Sequence, residues 1–159
     1  MDLVTAAQAV HWFDIAAFFA EAPRVLVADG VVAVWCYDLP EVMSPVDDLV
    51  RRFYAETVGP YWPPERRLVE TGYRTIPFPF AEFSVPAFQI EQSLTLTGLT
   101  GYVRTWSATR RYVEARGRDP VDQLYPELAP HWGDPSLRRS VRWPLALRAG
   151  RNRARAGEG

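Results

Sequence analysis

The chain has no lysine; all 18 of its basic residues are arginine. Against 19 acidic residues this leaves a formal charge of −1, which excludes the dense positive field of a general nucleic-acid binder. The single cysteine, Cys36, excludes an internal disulfide, and with only two histidines, His11 and His131, no cluster has metal-ligand spacing. Cys36 lies inside an apolar run and reads as a core residue. No stretch of about twenty apolar residues could span a membrane. No segment has the charged start and apolar middle of a signal peptide. These absences, with the lone thiol, lead to the expectation of a soluble, cytoplasmic protein. There is no glycine-rich phosphate loop, and no Ser-His-Asp or paired-carboxylate pattern stands out.

What is present suffices for one domain with a real core: 159 residues, 48% of them hydrophobic. Charge is uneven. Arg24 is the only basic residue among the first fifty, whereas arginines cluster from Arg138 to Arg155. Residues 1–149 read as folded. Residues 150–159, low in apolar content and terminal, read as a disordered Arg-rich tail.

Asp2 to Gln8 is apolar on both sides, as a strand covered on both faces must be. Asp14 is a good N-cap for a helix carrying Ile15, Phe18, Phe19, Ala22, Val25 and Leu26, ended by Asp29-Gly30. Pro23 predicts a kink or a restart in that helix. Val31–Tyr37 is a seven-residue apolar run between turn signals and reads as a central parallel strand. Val46, Leu49, Val50, Phe53 and Tyr54 predict an amphipathic helix ending near Gly59-Pro60, and Tyr61–Arg67 a turn into a shorter one. Prolines keep Ile76–Phe80 extended. A strand is expected at about 82–90, two helical pieces over Leu94–Tyr112, a helix opening at Asp119-Pro120, and a closing strand over Val141–Leu147 whose Pro144 marks an edge or bulge.

Read in order, A-A-Q-A-x-H-W-F (residues 6–13), R-V-L-x-x-x-G, P-Y-W-x-P-E-R, P-F-P-F, T-W-S-A, D-P-V and a final R-x-V-x-W-P resemble the second half of a class I S-adenosylmethionine (SAM)-dependent methyltransferase. The likeness is closest to the type 11 and trans-aconitate methyltransferase-like small-molecule enzymes. The resemblance implies an α/β, Rossmann-like sheet of order 3-2-1-4-5-7-6 with the seventh strand antiparallel. Residues 2–8, 31–37, about 82–90 and 141–147 would then be strands four to seven, with an inserted helical lid. The family's glycine-rich turn after strand one and acidic residue after strand two would lie upstream of Met1. The expectation is therefore an N-terminally truncated chain lacking the SAM-binding half, whose strand 2–8 is an exposed apolar edge open to self- or partner-pairing.

Carried over residue by residue, the resemblance gives Ala6, Ala7 and Gln8 contact with cofactor through the end of strand four. His11 and Trp12 fall at the cofactor–substrate boundary. His11 reads as a general base or as a donor polarising the acceptor, and equally as a hydrogen-bonded capping residue. Trp12 could stack on a sulfonium or an aromatic substrate, or pack as a core residue at a helix start. Tyr37 ends strand five, where α/β sheets place ligand-binding residues, though it also reads as a core aromatic. Trp106, with Tyr54, Tyr61, Trp62 and Tyr112, falls in the helices that form the family's substrate lid, or simply packs. Arg66 and Arg67 could clamp a substrate carboxylate or face solvent. The function expected is methyl transfer from SAM to a small molecule; the alternative is an inactive fragment or partner-binding remnant that does not bind SAM alone.

Overall fold

The two apolar runs that flank the first helix form adjacent parallel strands. In the computed structural model, which describes residues 1–153, β1 (Leu3–Ala7) pairs with β2 (Val31–Tyr37) from Leu3 opposite Val31 to Ala7 opposite Trp35. Between them runs α1 (Ile15–Val25), started by Asp14, whose carboxylate accepts from the Ala17 N–H at 2.9 Å. The helix does not restart at Pro23; it runs through the proline and ends at Val25, short of the end expected at Asp29-Gly30. Pro23 sits in the last turn, where a single helical bond is lost. Asn152, 129 positions later, donates its side-chain amide to the carbonyl of Pro23 at 3.3 Å and to those of Leu26 and Val27 beyond it. The helix end is satisfied from a distance.

The described residues divide into two units: Met1–Asp38, Glu65–Gln89 and Pro144 onward in the first, Leu39–Pro64 and Ile90–Trp143 in the second. In the first, β5 (Arg139–Arg151) runs antiparallel to β2, Leu145–Arg151 facing Tyr37–Val31, and β3 (Ala81–Phe83) pairs antiparallel with Ala149–Arg151. The order is β1-β2-β5-β3. Pro144 lies just outside the stretch paired with β2, so its missing N–H removes no rung of that ladder. The strand expected at 82–90 is two strands, β3 and β4 (Phe88–Leu94), with Pro86 between them breaking the ladder. The closing strand is longer than expected. Gly150 and Arg151, expected to open a tail, complete β5, and the rest of that tail from residue 154 lies outside the described residues. A Cβ on Gly150 would come within 2.7 Å of Phe80 Cβ and 2.8 Å of Phe78, so the strand needs glycine there.

One sheet face is core. Val32, Val34 and Cys36 pack with Phe19, Ala22 and Leu26 of α1, with Val69 of α3 (Arg66–Glu70), and with Tyr73 and Ile76 from the turn after it. Residues of the opposite face stay half-buried (Trp35, Tyr37) or exposed (Leu3, Phe83).

The second unit is mainly helical: α2 (Ser44–Arg52) continuing into a π turn at Phe53–Thr57, then α4 (Leu96–Arg104), α5 (Ser107–Arg116) and α6 (Val121–Trp132), with β4 paired to β5. α6 packs against α2 and α4. Leu96, Leu99, Val103, Leu128 and Trp132 are fully buried, and Arg104 ties α4 to Asp119 and Asp122 at the start of α6. No helix among the described residues is long and apolar enough to cross a membrane.

Candidate functional site

β1 and β2, being parallel, end side by side, and the chain leaving β1 is held there by one side chain. Gln8 has φ +50° and donates its backbone N–H to Trp35 O at 2.8 Å. Its amide oxygen accepts from the Tyr37 N–H at 2.9 Å and its amide nitrogen donates to Tyr37 O at 3.2 Å. The amide mimics one more rung of ladder. The Gln8 side chain is therefore held by the strand end, and its backbone N–H is already engaged with Trp35. The Ala6 side chain is core, so any ligand contact is through its main chain, whereas the Ala7 side chain is exposed.

A short 3-10 turn, Val10–Trp12, follows. It buries His11, 7% exposed, and leaves the Trp12 indole 56% exposed with its ring 4.8 Å from the imidazole. Phe13, Leu3 and Val27 are exposed nearby in sequence or strand, and among the described residues β1 pairs only with β2. That strand edge is open and apolar, an invitation to pairing.

His11 Nδ1 lies 2.7 Å from Tyr73 Oη. Burial, then the positive charge of Arg66, holds the imidazole pKa below its ordinary value against the opposing pull of Glu65. Both effects favour the neutral ring. Tyr73 is fully buried and has φ +60°, directly after Gly72 at +58°. Such a conformation costs a non-glycine residue on the order of 1–3 kcal/mol and persists only where the surroundings over-determine it. Here Arg148 does so. Its Nη1 donates at 2.8 Å to the carbonyls of both Tyr73 and Ile76, its other edge makes a two-bond pair with Glu82, and it lies 4.6 Å over the Phe78 ring.

At the end of β2, Asp38 pairs with Arg66; burial pushes the Asp38 carboxyl up while Arg66 pulls it down. A cavity of about 550 Å³ opens beside this end, lined by Cys36, Asp38, Val69, Gly72, Ala146 and Arg148 among others. The Cys36 thiol forms part of its wall, 1% exposed and pushed up to about 12 chiefly by burial, so it is not a nucleophile at neutral pH. Arg66 is thus engaged with Asp38, while Arg67 is exposed on α3. Tyr37 is half-buried, with its backbone held by Gln8.

Trp106 lies in the second unit, 8% exposed, at the centre of a ring cluster with Phe53, Tyr54, Trp62 and Tyr102 at centroid distances of 5.7–6.3 Å. Tyr54, on the π turn, stacks 4.9 Å from Trp62. Tyr61 and Tyr112 pack together separately, 5.1 Å apart. Ala6, Ala7, Gln8, His11, Trp12 and Tyr37 are thus gathered in the first unit around the ends of β1 and β2. Sequence reasoning missed Tyr73 and Arg148, which sit 62 positions from His11 and 75 from Tyr73 respectively. Thr71-Gly72-Tyr73 carried the one available signal, a glycine ahead of an aromatic.

No protein-family model matches the chain. A Dictyostelium discoideum protein named as a "putative methyltransferase" is 30% identical over 127 residues, 78% of this chain and 48% of its own length. The solved structure of a "putative type II methyltransferase" from Anaeromyxobacter dehalogenans matches with a TM-score of 0.89 at 42% identity, over 96% of this chain and 65% of that one. A Bacillus halodurans structure of similar name, 17% identical with a TM-score of 0.40, is too distant to bear on the fold. The chain spans about half the length of the curated relative and about two thirds of the solved one. It is a relative, in sequence and in fold, of proteins named as methyltransferases.

Proposed function

We propose that this chain supplies strands four to seven and the helical lid of a SAM-dependent methyltransferase acting on a small molecule. The observation that carries the reading is the likeness to the Anaeromyxobacter protein, 42% identical and close in fold. The strand order β1-β2-β5-β3, with β5 antiparallel, is the order 4-5-7-6 expected for such a fragment. On this reading the glycine-rich turn belongs to the portion of the relatives that this chain does not cover, and the chain alone holds SAM too weakly to saturate.

The residues present suit one side of the cofactor. An indole face 56% exposed suits a sulfonium, and the main chain of Ala6, Ala7 and Gln8 lies at a strand end fixed by the Gln8 clamp. When bound, SAM supplies an electrophilic methyl, and the protein contributes orientation and exclusion of water. Trp12 borders the cofactor, His11 presents its outer nitrogen to it or to the acceptor, and Tyr37 lines the acceptor side. The open β1 edge pairs with the missing strands, whether these come from a longer chain or a separate one. An inactive, partner-binding remnant is the second reading, favoured by the exposed Leu3, Trp12 and Phe13.

The test joins this chain to the part of the Anaeromyxobacter relative that it leaves uncovered and photocrosslinks methyl-labelled SAM to the product. The label is expected in the tryptic peptide that ends at Arg24 of this chain. Label confined to other peptides of this chain, or none in a folded product, would refute the assignment.

A further inference from the structure

The Tyr73 hydroxyl decides which nitrogen of His11 carries the proton. Tyr73 cannot turn away. Its N–H donates to Leu68 O at 2.9 Å, its carbonyl is held by Arg148 at 2.8 Å, and a Cβ on the preceding Gly72 would lie 2.8 Å from that of Ala146. The ring so fixed is fully buried, and its hydroxyl faces His11, whose Nδ1 lies 2.7 Å away and whose backbone N–H also acts on the phenol oxygen, leaving Nδ1 as the acceptor within reach of the phenol hydrogen.

A buried phenol has to donate its hydrogen. If Nδ1 were protonated, it would donate to Oη, and the phenol hydrogen would be enclosed with no acceptor. If Nδ1 is bare, the phenol donates to it and both groups are satisfied. We infer that Tyr73 is a positioning residue that donates to His11 Nδ1, holds the imidazole as the Nε2–H tautomer, and makes His11 a hydrogen-bond donor at its outer nitrogen. Nε2 makes no hydrogen bond with the described residues, and it is not enclosed: the one enclosed, unpartnered side-chain polar atom among them is Trp143 Nε1. Burial raises the phenol pKa and, with Arg66, lowers that of the imidazole, and both shifts favour the neutral forms.

Of the two chemical roles open to His11, donor and base, the geometry selects the donor. Its ligand is an acceptor atom, such as a carboxylate or carbonyl oxygen of the acceptor or cofactor, and not a hydroxyl or ammonium awaiting deprotonation. That last step rests on the methyltransferase reading; the location of the proton does not.

Long-range proton–nitrogen correlation spectra of the ligand-free chain read the tautomer directly. His131, exposed on α6 and the only other histidine, is assigned by its loss in His131→Gln. The spectra are expected to give a protonated Nε2 and a bare, hydrogen-bonded Nδ1 for His11. Tyr73→Phe, which removes only the hydroxyl, should move the Nδ1 resonance to that of an unbonded pyridine-type nitrogen. A protonated Nδ1 in the unmodified chain overturns the inference, and so does a Nδ1 resonance that Tyr73→Phe leaves in place. If Tyr73→Phe does not fold, the first spectrum decides. Absence of SAM binding or methyl transfer leaves these spectra unchanged, so failure of the methyltransferase reading is distinguishable from failure of this one.

Discussion

Replacing Arg148 with methionine keeps an unbranched side chain and removes the guanidinium that holds the Tyr73 turn and lies over Phe78. The two donated bonds to the Tyr73 and Ile76 carbonyls are charge-assisted and part-buried, worth about 1.5–3 kcal/mol each. The pair with Glu82 counts for less, about 0.2–1 kcal/mol, because the Glu82 side chain is 45% exposed. Without the clamp the left-handed Tyr73 also relaxes, returning part of its strain. The net expected loss is about 3–5 kcal/mol. Urea unfolding followed by tryptophan fluorescence and circular dichroism measures it, and Glu82→Gln is the control, expected to cost under about 1 kcal/mol. Arg148 holds the Glu82 carboxyl below its ordinary range. The small stabilisation from that pair is therefore present above the usual glutamate pKa and is lost as pH falls through the lowered folded value. Arg148→Met should abolish that acid-side dependence. If Arg148→Met costs no more than Glu82→Gln, the clamp does not hold the turn.

Three further outcomes follow from particular contacts. Gly72→Ala puts a methyl 2.8 Å from Ala146 in a backbone conformation glycine alone adopts freely, and should cost about 2–4 kcal/mol in the same unfolding assay; a loss under about 0.5 kcal/mol contradicts the packing described. Gln8→Ala leaves the Tyr37 N–H unpaired at a cost of about 1–3 kcal/mol, so amide exchange at Tyr37 should accelerate at least tenfold; unchanged protection would refute the clamp. Trp143 and Trp132 are both buried, but Trp132 Nε1 donates to Leu137 O at 3.0 Å while Trp143 Nε1 has no partner. Trp143→Phe should accordingly be milder than Trp132→Phe by about 1 kcal/mol, and equal or reversed costs would show that the orphan N–H is satisfied in solution.

Where a signal was local, the sequence carried it. The run at 31–37 is β2 to the residue, because seven apolar positions between turn signals leave little choice, and Asp14 caps α1 as its position demands. Errors fell where a distant residue overrides a local rule. Pro23 breaks a helix in isolation, but here Asn152 caps the carbonyls at its end. The polar and small residues at the end of β5 look like a tail until β2 offers seven partners and Phe78 and Phe80 require the glycine. In the site, the cluster at the end of β1 was legible because six of its residues are contiguous or end neighbouring strands. Tyr73 and Arg148 were not, since a left-handed tyrosine and the arginine that holds it leave no periodic mark. The sequence also could not separate the roles of Gln8: a strand-end amide reads the same whether it meets a ligand or the next strand.

Calorimetric titration of SAM into this chain joined to the uncovered part of the Anaeromyxobacter relative, and into the chain by itself, decides between part of a methyltransferase and an inactive remnant. Saturable micromolar binding is expected for the joined protein, weakened at least tenfold by Trp12→Ala, and no saturation for the chain alone. A folded joined protein that releases no binding heat, or one whose affinity is indifferent to Trp12, would contradict it.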